Sequence, residues 1–249
     1  MYLTIKALVL RVTNYNDTDA LLSVLTHSHG KLTLKARGVR RKNSPLIAAC
    51  QLLAFSEFTV FEYRDMCTIN EARTIELFQG LRKDIQMLSL GTYFAQVAEV
   101  VCQEDMPNPE LLSLTLNSLY AVSAMKLDER LVRAVFELRC ACLAGYTPDL
   151  SGCSKCASPD CVLFDLRAGQ LLCNNCCKTD SDGIRMPINP GVVDAMQYIC
   201  TCDAKQIFSF QAGDQTMNCL SQITELYIAT QLERGFSTLD FYKSLLYMP

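Results

Sequence analysis

The sequence predicts a multidomain α+β chain, and three observations carry that reading. Apolar residues repeat with a period near two from residue 2 to about residue 75, and with a period near 3.6 beyond Glu76. Between residues 146 and 188 neither period holds: Pro148, Gly152, Pro159, Gly169, Gly183 and Pro187 interrupt the chain, and six cysteines crowd into it. With 249 residues, 50% of them apolar and 20% charged, the chain can bury a core in one large or two to three small domains.

The strands come first. Residues 2–13 are rich in Ile, Leu and Val and roughly alternate. Residues 20–26 and 32–36 are two further runs around Ser28-His29-Gly30, a hairpin in which Gly30 supplies a positive φ where the turn needs it. Residues 51–63 carry Phe55, Phe58, Phe61 and Tyr63 among β-branched neighbours, and residues 67–75 make a fifth strand. Five short strands in this length suit a small OB-fold barrel, residues 1–78.

Helices follow. Ile85, Leu88, Tyr93, Phe94, Val97, Val100 and Val101 give one amphipathic helix that ends before Pro107, and residues 111–125 give a second. Asp128 caps a third, running through Leu131, Val135 and Leu138 to about Ala144, with Gly145 just past its end. Asn189-Pro190 opens another as N-cap and first helical residue, and residues 220–234 make a last long helix stopped near Gly235. Residues 79–148 and 188–249 thus read as an all-helical domain, interrupted by an insertion at 149–187.

That insertion holds the strongest local signal. Cys153-x2-Cys156, sixteen intervening residues and Cys173-x2-Cys176 have the spacing of a four-cysteine zinc ribbon. Each C-x2-C turn aims two sulfurs at one ion, and residues 162–172, read as strand, turn and strand, return the second pair to the first. Four thiolates leave no open position for water, so the zinc would be structural. Ordinary buried or disulfide-linked cysteine is the alternative, and Cys161 and Cys177 are spare thiols that could compete as ligands. The symmetric pair is preferred, because Cys177 adjoins Cys176 and would point elsewhere. The other eight cysteines, Cys50, Cys67, Cys102, Cys140, Cys142, Cys200, Cys202 and Cys219, lie in apolar stretches and read as small core residues.

Charge is unevenly distributed. The formal net charge is −3, yet residues 1–50 hold eight Lys and Arg against two Asp, and residues 81–249 hold thirteen basic against nineteen acidic residues. Lys31, Lys35, Arg37, Arg40, Arg41 and Lys42 cluster without an acidic neighbour, beside Gly38 and Ser44-Pro45. A basic loop leaving a barrel strand suits nucleic-acid phosphates, with Tyr15, Phe55 and Phe61 as candidates to stack on bases. A solvated surface loop and core aromatics are the plainer readings of the same residues.

Two histidines in the whole chain, His27 and His29, are a thin supply for acid–base catalysis, and they read as turn residues. No G-x-x-x-x-G-K-[ST] loop is present, so no ATPase activity is expected, and the scarce histidines and closed four-thiolate spacing argue against other enzyme chemistry. The first residues lack a basic leader and no apolar run approaches the roughly 18 residues of a membrane helix, which points to a cytoplasmic protein with reduced thiols.

Tyr15-Asn16-Asp17-Thr18-Asp19, Leu25-Thr26 with Gly30-Lys31-Leu32, and Lys35-Ala36-Arg37-Gly38-Val39-Arg40-Arg41 resemble the N-terminal barrel of the RecO family, bacterial recombination mediators. Gly145-Tyr146-Thr147-Pro148-Asp149-Leu150, then Cys153-x2-Cys156 and Leu171-Leu172-Cys173-x2-Cys176, resemble that family's zinc-bearing insertion. The resemblance implies binding of single- and double-stranded DNA and annealing of strands coated with single-stranded-DNA-binding protein. It further implies work with RecR to load RecA in the RecF pathway, near the bacterial nucleoid. DNA contacts would fall on Lys35, Arg37, Arg40 and Arg41. The acidic tail of the single-stranded-DNA-binding protein would meet the helical domain, where Arg130, Arg133 and Arg139 are candidate contacts. Two other classes stay open: a zinc-ribbon protein-interaction module without DNA binding, and a thiol- or zinc-dependent enzyme.

Overall fold

A computed structural model describes residues 2–64, 66–179 and 183–246. It divides into two compact units, Met1–Lys126 with Phe236–Pro249, and Leu127–Gly235.

In the first unit, β1 (Tyr2–Asn14), β2 (Ala20–Thr26), β3 (Lys31–Ala36), β4 (Phe55–Tyr63) and β5 (Met66–Glu76) close into a barrel in the order β1-β2-β3-β5-β4. Closure depends on the long first strand, whose N-terminal half pairs with β4 and whose C-terminal half pairs with β2. A register shift between Val9 and Arg11 bends it where it changes partner. Alternation then sends Ile5, Ala7, Val9, Leu22, Val24, Leu34, Phe58, Val60 and Ile69 inward to one core. At the β2–β3 turn Gly30 has φ +63, and a Cβ there would lie 2.2 Å from the carbonyl oxygen of Met106. Only glycine fits that approach.

The predicted strands are all present. β4, however, begins at Phe55 and not at residue 51. Residues 51–54 turn instead, with Leu53 at φ 64 and its N–H donating to the Val9 carbonyl. Their apolar side chains mimic a strand because Leu53 and Ala54 are buried in that turn.

The same unit contains α1 (Gln79–Arg82), α2 (Ile85–Val101), α3 (Pro109–Tyr120) and, near the chain's end, α7 (Ser237–Leu246). Asp84 caps α2 by accepting the Gln86 N–H. Asn108 caps α3 from the Leu111 N–H, with Pro109 in the first turn. The end of the second predicted helix is a π-helical turn, Ala121–Met125. α7 was not expected: Gly235 reads as a stop, yet Phe236, Leu239 and Tyr242, three residues apart, form a buried stripe beyond it.

In the second unit, α4 (Glu129–Leu143) starts at Asp128, which accepts the Arg130 N–H, and ends where Gly145 takes φ +93. α5 (Pro190–Thr201) starts at Asn189 as the sequence implies, and α6 (Asp214–Gln231) starts six residues before the predicted helix, in a polar first turn. Between α4 and α5 lies a four-stranded sheet, β6 (Asp149–Cys153), β7 (Cys161–Asp165), β8 (Gln170–Cys173) and β9 (Arg185–Pro187), ordered β6-β8-β7-β9. The helices that the sequence places in one domain are therefore shared between the two units: α2, α3 and α7 group with the barrel, and α4, α5 and α6 with the sheet. No helix among the described residues is long and apolar enough to cross a membrane.

Candidate functional site

On β4 the residues that do not enter the core face outward, and near the strand's end these are Phe61 and Tyr63, 37% and 58% exposed. Strand register extends this face across four strands. Lys35 of β3 lies opposite Thr68 of β5, Thr68 opposite Phe61 of β4, and Phe61 opposite Tyr2 of β1. At about 4.8 Å per strand, the row is about 14 Å long. The Tyr2 and Phe61 rings pack with centroids 5.1 Å apart, and Tyr2 is 65% exposed. An open groove of about 420 Å³ follows the row, lined by Lys35, Arg37, Phe61, Tyr63, Arg64, Met66, Thr68 and Asn70. The Arg64 guanidinium stands 5.1 Å from the centre of the Tyr63 ring.

Beside the groove, the β1–β2 loop and the loop leaving β3 are clasped through Asp19. Its carboxylate accepts the Gly38 N–H at 2.8 Å and the Asn16 amide at 3.1 Å, and lies 3.8 Å from the Lys35 ammonium. The Gly38 N–H, with the Asn16 amide next, holds this carboxyl below its ordinary range. Gly38 reaches Asp19 from φ +64. Arg40 completes the clasp: its backbone N–H donates to the Thr18 carbonyl at 3.0 Å and its Nη1 to the Asn16 carbonyl at 2.6 Å.

The six predicted basic residues therefore separate. Arg37, Arg41 and Lys42 are exposed, and no ion pair among the described residues involves them. Lys35 is shared between Asp19 and the Tyr15 ring, 4.5 Å from its centre, and Arg40 braces the loop. Lys31 opens β3 at its other end, its N–H on the Gln103 carbonyl, about 20 Å along the strand from Arg37. Phe55 is likewise displaced, half-buried at the far end of β4, whereas Tyr15 and Phe61 are exposed near the groove. His27 and His29 lie in the Gly30 turn, where the His29 N–H donates to the Thr26 hydroxyl.

In the insertion, the hairpin formed by β7 and β8 pairs Cys161 with Cys173 and so returns the second C-x2-C to the first. The Sγ atoms of Cys153, Cys156, Cys173 and Cys176 all lie within 4.8 Å of one another, and those of Cys156 and Cys173 are 3.6 Å apart. Among the described residues no other group of three or more Cys, His or carboxylate ligands converges this way. Backbone N–H groups point at the sulfurs: those of Cys173, Lys155 and Cys156 draw the Cys153 thiol down to about 6, and those of Cys176 and Asn175 lower Cys173. Hydrogen bonding to the Cys156 and Cys173 sulfurs keeps the proton on Cys176 and pushes it up to about 12. Such a cluster can hold a metal ion. Cys161 and Cys177 stand outside it, their sulfurs on the carbonyls of Ser158 and Asn174.

The three arginines singled out on the helices have internal partners. Arg130 pairs with Asp128 and Asp214 at 2.7 and 3.0 Å. Arg133 is buried, ion-paired with Glu137 at 3.2 Å and Glu225 at 2.6 Å, and donates to the Ser221 hydroxyl. Arg139 donates to the carbonyls of Cys200 and Cys202 at the end of α5. Their guanidinium groups hold α4 to α6 and α5.

Two family models together match most of the chain. The model of the recombination protein O N-terminal domain matches residues 1–78, and that of its C-terminal domain matches residues 82–240. The chain belongs to the RecO family. "DNA repair protein RecO" of Acetivibrio thermocellus is 32% identical over 246 residues, 98% of this chain and 97% of that one. Its counterpart in Alkaliphilus metalliredigens is 29% identical, covering 98% of this chain and all of that one, and that of Bacillus subtilis is 26% identical, covering 89% and 86%.

Tyr2 of the row and Tyr63 and Arg64 of the groove in this RecO-family chain escape sequence reasoning. Tyr2 and Tyr63 read only as members of strands, and Arg64 is not singled out. The signal that could have found them is the outward phase of β4, which puts Tyr63 on the same face as Phe61 and carries the chain directly to Arg64.

Proposed function

We propose that the chain is a DNA repair and recombination mediator that binds single- and double-stranded DNA along the outer face of its barrel and anneals complementary strands. The observation that carries this reading is the row Lys35–Thr68–Phe61–Tyr2, flanked by the exposed guanidinium groups of Arg37 and Arg41. A barrel of order β1-β2-β3-β5-β4 is what an OB fold requires, and OB folds take oligonucleotides on the face of β2 and β3 and between the β1–β2 and β4–β5 loops. The groove meets that region at Lys35 and Arg37, at the end of β3, and at Tyr63 and Arg64, where β4 gives way to its loop. Exposed rings offer stacking surfaces to bases of any sequence, and the arginines screen the phosphates of two strands brought together. Nothing in this mechanism is covalent, and the protein is not an enzyme on this reading.

The cysteine cluster fits structural zinc. Four thiolates around one ion at about 2.3 Å stand roughly 3.8 Å apart, close to the 3.6 Å between Cys156 and Cys173. Cys153, Cys156, Cys173 and Cys176 would hold the ion, and its chemistry there is to tie the sheet together. Family membership supports action with RecR, with the single-stranded-DNA-binding protein and, through them, with RecA. We place none of those contacts on Arg130, Arg133 or Arg139, whose guanidinium groups are already engaged within the chain.

The test is binding of a fluorescent single-stranded oligonucleotide by the full-length wild type and by Arg37→Ala/Arg41→Ala, from about 50 to 200 mM salt. Each lost phosphate contact lowers the slope of log K against log salt by about 0.7, so the double variant should be shallower by about 1.4. Parallel slopes would remove this loop from the interface. Arg40 is avoided because its loss would also open the clasp on Asn16.

A further inference from the structure

Cys142 and Cys200 were read from sequence as core residues, yet each is only half-buried, and their Sγ atoms lie 3.7 Å apart across α4 and α5. We propose that they are a redox-active dithiol, a pair that a hydroperoxide converts to an interhelical disulfide. The two helices pack directly on each other, and each cysteine sits in the last turn of its helix. A disulfide requires about 2.05 Å between sulfurs, so side-chain movement of about 1.7 Å completes the bond.

The surroundings assign the roles. Arg139, one turn before Cys142, is held by the carbonyls of Cys200 at 2.7 Å and Cys202 at 3.4 Å, which fixes a positive charge beside the pair. Cys142 also accepts hydrogen bonds from the Cys200 thiol, the largest influence, and the Thr147 hydroxyl. Together these draw its own thiol down to about 7. The proton stays on Cys200, which its neighbour and burial push far up. By contrast, buried Cys50 is pushed up to about 12 and Cys102 to about 11, the state of an inert thiol.

The chemistry balances. The Cys142 thiolate attacks one peroxide oxygen, the O–O bond breaks, and the leaving oxygen departs as hydroxide with both electrons of that bond, giving a sulfenic acid. Cys200 sulfur then attacks the Cys142 sulfur, the S–O bond breaks, and the oxygen leaves as water with the Cys200 proton. The two thiols lose two electrons in all, which reduce the peroxide. The bond would link residues 58 apart and enclose all four cysteines of the metal cluster in one covalent loop, closing the base of the insertion.

The experiment uses the full-length, metal-loaded protein, first reduced, then treated with limiting hydrogen peroxide, alkylated under denaturing conditions and mapped by mass spectrometry. A Cys142–Cys200 linkage that dithiothreitol reverses is expected, with Cys50 and Cys102 still alkylated. In Cys200→Ser the sulfenic acid should accumulate on Cys142 and be trapped by dimedone, while in Cys142→Ser residue Cys200 should remain a thiol. The proposal is overturned if Cys142 and Cys200 in wild type alkylate as fully as Cys50 after peroxide, or if oxidation joins only cysteines of the metal cluster. Oxidation of Cys200 at the wild-type rate in Cys142→Ser would overturn the assigned roles. Because the decisive reading comes from the unaltered protein, a misfolded variant cannot rescue or sink it.

Discussion

Replacing Phe61 with alanine isolates the stacking contribution from the electrostatic one. The ring is 37% exposed at the end of β4, its packing partner is Tyr2 at 5.1 Å, and the core residues Phe58 and Val60 point the other way. Removing it sacrifices one aromatic pair, about 0.5–1.5 kcal/mol, and opens no core cavity, which would cost about 3–5 kcal/mol. A base stacked on such a ring contributes about 1–3 kcal/mol. At 1.4 kcal/mol per tenfold, single-stranded DNA affinity should fall about 5- to 150-fold. Since no charge is removed, the salt slope should be unchanged. Fluorescence anisotropy at fixed and varied salt, beside a thermal melt, measures all three quantities. Phe61→Tyr should restore binding, and Phe55→Ala, altered on the same strand but off the row, should leave affinity near that of wild type. A loss under twofold in folded Phe61→Ala, or an equal loss in Phe55→Ala, would refute stacking on this row.

Three further outcomes follow from particular contacts. Arg133→Met removes the cation paired with the fully buried Glu137 carboxylate and should cost about 3–5 kcal/mol in urea unfolding; a cost below about 1 kcal/mol would contradict the network. Metal analysis of protein purified under reducing conditions should find zinc in wild type, Cys161→Ser and Cys177→Ser but not in Cys173→Ser, and equal content in all four would break the ligand assignment. Gly30→Ala meets both φ +63 and the Met106 carbonyl and should destabilise by about 3 kcal/mol or more, whereas Gly213→Ala, with open space around it, should stay within about 0.5 kcal/mol; similar melts for the two variants would discount the close approach.

Much of the fold was legible because its signals are local. Alternation placed every barrel strand, since one face of each must be buried. Capping residues placed the starts of α4 and α5, because Asp128 and Asn189 satisfy N–H groups only two or three residues away. Errors arose where local and tertiary signals part. Residues 51–54 are apolar because a turn is buried, not because a strand is paired. The polar first turn of α6 has no apolar stripe to announce it, and α7 is visible only through the burial of Phe236, Leu239 and Tyr242.

The same division separates the functional features. The cysteine cluster is legible in the residues alone, because a C-x2-C turn closes within four residues and the short β7–β8 hairpin between two such turns returns one to the other. The gathering of positive charges near residue 40 is legible there too. Which of those charges remain free depends on long-range packing. A charge is neutralised by whatever the fold brings within a few ångströms, as Asp19 is brought to Lys35, Glu225 to Arg133 and Asp214 to Arg130. Strand register, a long-range property, aligned Lys35, Phe61 and Tyr2 into one row, and helix packing brought Cys142 to Cys200 across 58 residues of chain.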